Sequence, residues 1–196
     1  MMTVPAWAAL GRATADFDNA RPNKSETAFG RLTADSIKAA TGADAAVVNA
    51  GALKSGTLRA GDIEQAAIDA LLKYGDDDVV TVTVTGAQLR EAFERAVREY
   101  PTGDDAFLHA SGLTVTFNGN GGPPRVASLK LNGRDVAAGD TIRLAMTASL
   151  ANDTYFKVFN GLRSQPANVK VRGALANTIS RLRTVSPDNT PRVSAR

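Results

Sequence analysis

Asn49, Gly51 and Lys54 are the first residues whose types and spacing suggest chemistry. They follow a short apolar run, residues 45–48, inside the segment 43–58. The Asn49 carboxamide can bond its own turn or a neighbouring loop. A glycine at 51 lets the backbone take a positive φ or come close to a ligand. Lys54 adds a cation shortly after. Together they suit the holding of a polar or anionic small ligand rather than the breaking of a bond. The same residues also fit a plain strand-to-loop corner with a solvated lysine.

Other side chains bound the chemistry. His109 is the single histidine and cysteine is absent, so a dinuclear metal centre of the His/Asp/Asn kind lacks its ligands. A lone histidine reads as a surface or loop residue, and catalytic and metal roles are assigned to no residue. The run Asp76-Asp77-Asp78 either attracts a hard cation or is a solvated turn ahead of a strand. Ser111 sits in Ala-Ser-Gly, without the Gly-x-Ser-x-Gly elbow of a serine nucleophile. The glycines of residues 118–122 fall between two expected strands and read as a hairpin loop. The net charge of +3 is spread along the chain, with an excess near the C-terminus. That pattern helps hold an anionic small molecule and argues against nucleic acid.

These residues need a frame. With 196 residues, 43% of them hydrophobic and 22% charged, the chain can build one sizeable core. No apolar run approaches a membrane span, and the first ten residues lack the basic start of a signal peptide. A first helix starts at Ser25 or Glu26, with Phe29, Leu32, Thr33, Ser36, Ile37 and Ala40 on one face, and stops at Gly42. The non-alternating run 45–48 reads as a strand buried on both faces. Asp62 is expected to cap a second helix that turns Ile63, Ala66, Ala67, Ala70 and Leu71 inward. Val80, Val82 and Val84 alternate with threonines in a clear strand, and a third helix runs from Gly86 to the stop at Pro101. Short strands follow around Leu113, Val126 and Ile142, with Asn132-Gly133 as a hairpin turn. Tyr155, Phe156 and Phe159 form an aromatic cluster that reads as core packing. A last helix covers about 171–182, and 186–196 reads as a loose tail. The architecture expected is α+β: a single domain, a mixed sheet flanked by helices. Residues 1–23 form an arm, 24–184 the domain and 185–196 the tail.

The ordered set of short motifs resembles the C-terminal domain of the 5'-nucleotidase family. It comprises Glu26-Thr27 with Gly30, Leu32 and Asp35; Asn49-Ala50-Gly51; Thr85-Gly86; and Ser111-Gly112. The resemblance covers residues 24–183 and implies the same mixed sheet. In that family the domain binds the nucleoside part of the substrate with arginines and two aromatic rings that sandwich the base. Asn49 and Gly51 match the family's Asn-x-Gly-Gly-Ile-Arg, but Ala52, Leu53 and Lys54 replace its last three residues. Lysine keeps the charge and loses the planar fork of arginine. Tyr74 matches the first ring. Asp153 and Tyr155 match the family's Gly-Gly-Asp-Gly-Tyr, while the position of the second ring falls on Thr147 or Ser149. Ser111 completes the implied substrate-binding set.

The resemblance further implies that the metals and the hydrolytic residues lie in a separate metallophosphatase domain. This chain would then need no cofactor of its own; the divalent metal pair would sit in that other half, within a longer chain or a separate protein. The ligand implied is a nucleotide or a related phosphorylated small molecule, and the implied location is periplasmic or secreted. The departures at Lys54 and Thr147 suit a rival reading, a degenerate domain kept for structure or protein interaction. A self-sufficient hydrolase is a third, opposed by the missing metal ligands.

Overall fold

In the computed structural model, residues 9–119 and 124–196 are described. In chain order the elements are β1 (Gly11–Ala13), β2 (Phe17–Asn19), α1 (Ala28–Thr41), β3 (Ala45–Asn49), β4 (Gly56–Leu58), β5 (Gly61–Ile63), α2 (Gln65–Asp69), β6 (Asp78–Thr85) and α3 (Gly86–Ala96). There follow β7 (Leu108–Ser111), β8 (Leu113–Asn118), β9 (Arg125–Leu131), β10 (Arg134–Asp135), β11 (Thr141–Thr147), α4 (Ala148–Ala151), β12 (Gln165–Lys170), α5 (Val171–Leu182), β13 (Thr184–Val185) and β14 (Val193–Ala195).

The expected mixed sheet is the centre of the molecule, with strand order β12-β6-β11-β3-β7. β3 is flanked by a parallel and an antiparallel neighbour, so neither of its edges is free. Its side chains alternate between two cores. Ala45 and Val47 join Val82, Val84, Leu89 and Phe93 beneath α3, with Val115 and Phe117 of the second sheet. Ala46 and Val48 join Phe29 and Ile37 of α1, with Leu175 and Ile179 of α5. Burial on both faces is why the run does not alternate.

The helix ends are set by local chemistry. Thr27 caps α1 by accepting from the Gly30 amide, and Gly42 closes it at φ 60°. Thr85 caps α3 in a reciprocal pair with Gln88.

Several expectations are corrected. Asp62 caps no helix; it lies in β5, opposite Arg12 of β1. The second helix is the short α2, where Ile68 is buried and Ala66 and Ala70 are exposed. Residues 9–23, expected as an arm, supply β1 and β2, while residues 1–8 lie outside the described residues. The tail is not loose: β14 pairs in parallel with β8, and Val193 is buried. Residues 120–123 of the expected hairpin loop also lie outside the described residues; the strands on either side, β8 and β9, pair as a hairpin would require.

The last correction concerns His109. It lies in the middle of β7 and is fully buried. Its Nδ1 accepts from the Thr27 amide at 3.3 Å, and its Nε2–H donates to the Pro22 carbonyl at 3.0 Å. Gly30 lies against the ring, and a Cβ there would overlap it. Burial is the main cause that lowers the His109 pKa from 6.5 to about 3. The unfolded chain therefore binds a proton that the folded one refuses, between pH 6.5 and about 3. Stability from this group is full above 6.5 and is lost as pH falls through that window. Burial pushes the neighbouring Glu26 carboxyl the other way, above its ordinary value of 4.5, so Glu26 offsets part of the loss on acidification. Urea unfolding should show stability falling from pH 6.5 downward, with a slope up to about 1.4 kcal/mol per pH unit. His109→Gln, which keeps an acceptor and a donor, should flatten that slope. A His109→Gln profile with the same slope as the wild type would contradict the burial of a neutral imidazole.

Candidate functional site

The end of β3 is anchored before any side chain reaches out. A 3-10 turn, Ala50–Ala52, follows Asn49. The Ala50 amide donates to the Phe107 carbonyl and the Gly51 amide to the Asp105 carbonyl, both at 2.8 Å. Gly51 does not use a positive φ. A Cβ there would lie 3.1 Å from both the Asn49 Nδ2 and the Asp105 Cβ, so its role is close approach to the 104–106 loop. Lys54 is held by its backbone: its amide donates to the Leu71 carbonyl at 2.9 Å and its carbonyl accepts from Asn19 at 2.8 Å. The residue is otherwise exposed.

Two open depressions result. The larger, about 470 Å³, brings together Lys54, Lys73, Tyr74, Ser149 and Arg172. The smaller, about 200 Å³, is lined by Asn49, Asp104, Asp105, Asp153 and Tyr155. Lys54 and Tyr74 share a depression, while Asn49, expected to share it with them, faces the other one with Asp153 and Tyr155. The segments 49–54 and 149–153 each contribute to both. Ser149, not Thr147, reaches the Tyr74 side. Thr147 is buried and caps α4 by accepting from the Leu150 amide. Phe156 and Phe159 are fully buried and stacked, as the core-packing reading has it.

Tyr74 is a large exposed apolar side chain, 52% accessible. The Lys73 ammonium lies 5.5 Å from its ring centre. Among the described residues neither Lys54 nor Lys73 has a carboxylate partner, so both charges are available. The aspartates beside them are committed. Asp76 accepts from Arg172 at 3.0 Å, Asp78 pairs with Lys170 at 3.1 Å, and Asp77 accepts from the Ser149 amide at 3.2 Å. Among the described residues no group of three His, Cys, Asp or Glu side chains could hold a metal ion.

Ser111 is separate from both depressions. Its hydroxyl donates to Asp35 at 2.6 Å, and Asp35 also holds Arg192 at 2.6 and 3.0 Å. Glu26 accepts from the Ala110, Arg192 and Val193 amides and from Arg31. The Glu26, Asp35 and Ser111 motif positions thus fasten α1, β7 and the tail to one another. Sequence reasoning missed Arg172 and Arg192, whose partners lie far away in the chain. Their only signal was membership of the C-terminal basic excess.

The family model described as "5'-nucleotidase, C-terminal domain" matches residues 9–161, and the chain belongs to that family. A trifunctional nucleotide phosphoesterase protein of Bacillus subtilis (strain 168) is 32% identical in an alignment of 130 residues that covers 61% of this chain and 9% of that protein. A 5'-nucleotidase precursor from Thermus thermophilus has the same fold at a TM-score of 0.87 and 19% identity, covering 96% of this chain and 39% of that one. The NAD nucleotidase of Haemophilus influenzae follows at 0.81 and 15%, covering 97% and 39%. A sulfate thiohydrolase from Thermus thermophilus also matches, at 0.74 and 15%, covering 97% and 35%. The chain spans well under half the length of each of these relatives. No helix among the described residues is long and apolar enough to cross a membrane.

Because the Ser111 hydroxyl donates to Asp35, Ser111→Ala should lower stability by about 1.5–3 kcal/mol, the range for a bond to a charged group. Chemical denaturation measures this. NMR amide shifts at Asn49, Lys54 and Tyr74 should stay put. Large shifts there with unchanged stability would place Ser111 in the site instead.

Proposed function

We propose that this chain recognises the nucleoside part of a nucleotide, or of a related phosphorylated small molecule, for a metallophosphatase half that carries the metals and the hydrolysis. The observation that carries this reading is the exposed Tyr74 ring beside Lys54 and Lys73, two cations without carboxylate partners among the described residues. A ring offers a face for a base, and the ammonium groups suit an anion close to it. Asn49, Asp153 and Tyr155 line the neighbouring depression and are assigned to the polar sugar. Gly51 lets the Asn49 turn sit close to the 104–106 loop.

The chain alone is read as non-catalytic. Both His109 nitrogens are engaged in the core, and the Ser111 hydroxyl is bound to a carboxylate. Metal-assisted attack on phosphorus belongs, in this proposal, to the other half. Export to the periplasm or beyond the cell is part of the same reading, supported by the likeness to a 5'-nucleotidase precursor of Thermus thermophilus.

Thr147 or Ser149 stands where the family resemblance places a second ring, and of the two Ser149 lines the Tyr74 depression; the missing ring favours a rival reading, a degenerate domain kept for structure. Stacking on one ring is worth about 1–3 kcal/mol per base, so a one-sided site is weak. We expect calorimetry with adenosine and AMP to give dissociation constants nearer the millimolar than the micromolar range, about −4 rather than −8 kcal/mol. Tyr74→Ala should abolish most of the binding, and Ser149→Phe should tighten it. Micromolar binding that ignores Tyr74→Ala would place the base elsewhere. No binding even with Ser149→Phe would favour the degenerate domain. Phosphate release from AMP with added manganese should stay below about 1 per second, the low end for enzymes. Faster turnover that persists through a second purification step would overturn the non-catalytic reading.

A further inference from the structure

Arg172 lies in the Tyr74 depression and is the natural suspect for an anion ligand, since it restores the planar fork that Lys54 lacks. Its bonds say otherwise. One terminal nitrogen donates to Asp76 at 3.0 Å, and the other lies 3.7 Å from Asp69 at the end of α2. Its fork is already divided between two carboxylates that themselves line the depression. Its Nε is buried without a partner against Gly75, where a Cβ would come within 3.2 Å of it.

The backbone follows the same plan. α5 begins at Val171 with no side-chain cap. Its first amides would be orphans. Instead the Val171 amide donates to the Asp77 carbonyl and the Arg172 amide to the Gly75 carbonyl, both at 3.0 Å. Lys170 adds a bond to the Asp76 carbonyl at 2.8 Å. The loop that carries Tyr74 is therefore the N-terminal cap of α5. Asp77 ties the same loop to the Ser149 amide at the start of α4.

We infer that Arg172 is a positioning residue: it locks the 73–77 loop onto α5 and α2, and so sets the Tyr74 ring at a fixed distance from Ser149. It is not a ligand for the anion, a role left to Lys54 and Lys73. The inference rests on the proposed site for its functional meaning, but its structural half can be tested without any ligand.

Two readouts on the full chain separate the possibilities. The first is amide hydrogen exchange on the free protein. In Arg172→Lys and Arg172→Ala, residues 73–77 should exchange at least about tenfold faster while β3 and β6 are unchanged. A lysine cannot hold Asp69 and Asp76 together, so it should fail to rescue. Unchanged exchange in the loop, or full rescue by lysine, would overturn the positioning role. This result stands whether or not a nucleotide binds.

The second readout is binding of adenosine against AMP to Asp76→Ala. If Arg172 positions the ring, releasing it weakens adenosine, about tenfold for a lost stacking face. If Arg172 is an anion ligand, freeing it leaves adenosine alone and tightens AMP by more than Asp76→Ala does in an Arg172→Ala background, where only the lost carboxylate charge acts, and the inference fails. Wild-type protein that binds neither compound rejects the proposed function, while the exchange data still decide the role of Arg172.

Discussion

The Glu26 carboxylate holds this fold together at the point where the chain is least able to do so by apolar packing alone. It is fully buried as a side chain, yet it takes three backbone amides and one guanidinium from separate parts of the chain. Burying a carboxylate costs several kcal/mol, and only a full set of donors offsets that cost. Burial still pushes its pKa up, against the donors that favour the ionised form. Removing a partner from such a pair leaves an uncompensated charge, at a cost of about 3–5 kcal/mol. Asp35 on α1, with a side chain 40% exposed, adds a shallower tie to Ser111 and Arg192. The C-terminal segment is thereby bound to the first helix.

From that anchor the position of the candidate site follows. α1 is fastened against β7, and β7 is the neighbour of β3. β3 is buried on both faces, so its end at Asn49 has little freedom. The 3-10 turn carries the chain from Asn49 on one depression to Lys54 on the other. The α4 segment does the same, with Ser149 on one and Asp153 on the other. The two depressions are therefore set by one strand end and one short helix, while the Tyr74 loop is set separately by α5.

Much of this frame is legible in the residues. The unbroken run 45–48, the alternating valines of β6, and the apolar faces of α1, α3 and α5 all mark their elements. Thr27 and Gly42 bound the first helix because capping chemistry is local. The short strands β1, β5, β12 and β14 have no apolar alternation long enough to mark them; their partners define them. His109 escapes a sequence reading because a buried histidine needs two specific partners, and neither the Pro22 carbonyl nor the Thr27 amide can be placed from sequence. Nearness in the chain suggests one depression for Asn49 and Lys54, whereas the turn between them redirects the backbone. Arg172 and Arg192 escape for the opposite reason: their carboxylate partners are remote in sequence.

In the proposed recognition role, the chain would offer the Tyr74 ring, the lysines 54 and 73, and Arg172 as the inferred brace beside Gly75. The family membership explains why the elements are there, and in the proposed role the departures at Lys54 and at Thr147 or Ser149 would leave the site weak. The most direct measurement is an NMR titration of the labelled chain with AMP, following every assigned amide. Saturable shifts should centre on Lys54, residues 73–77 and Ser149, with smaller ones at Asn49 and Asp153. Shifts confined to another surface, or none up to a concentration of about 10 mM, well above the millimolar binding expected, would contradict the recognition role.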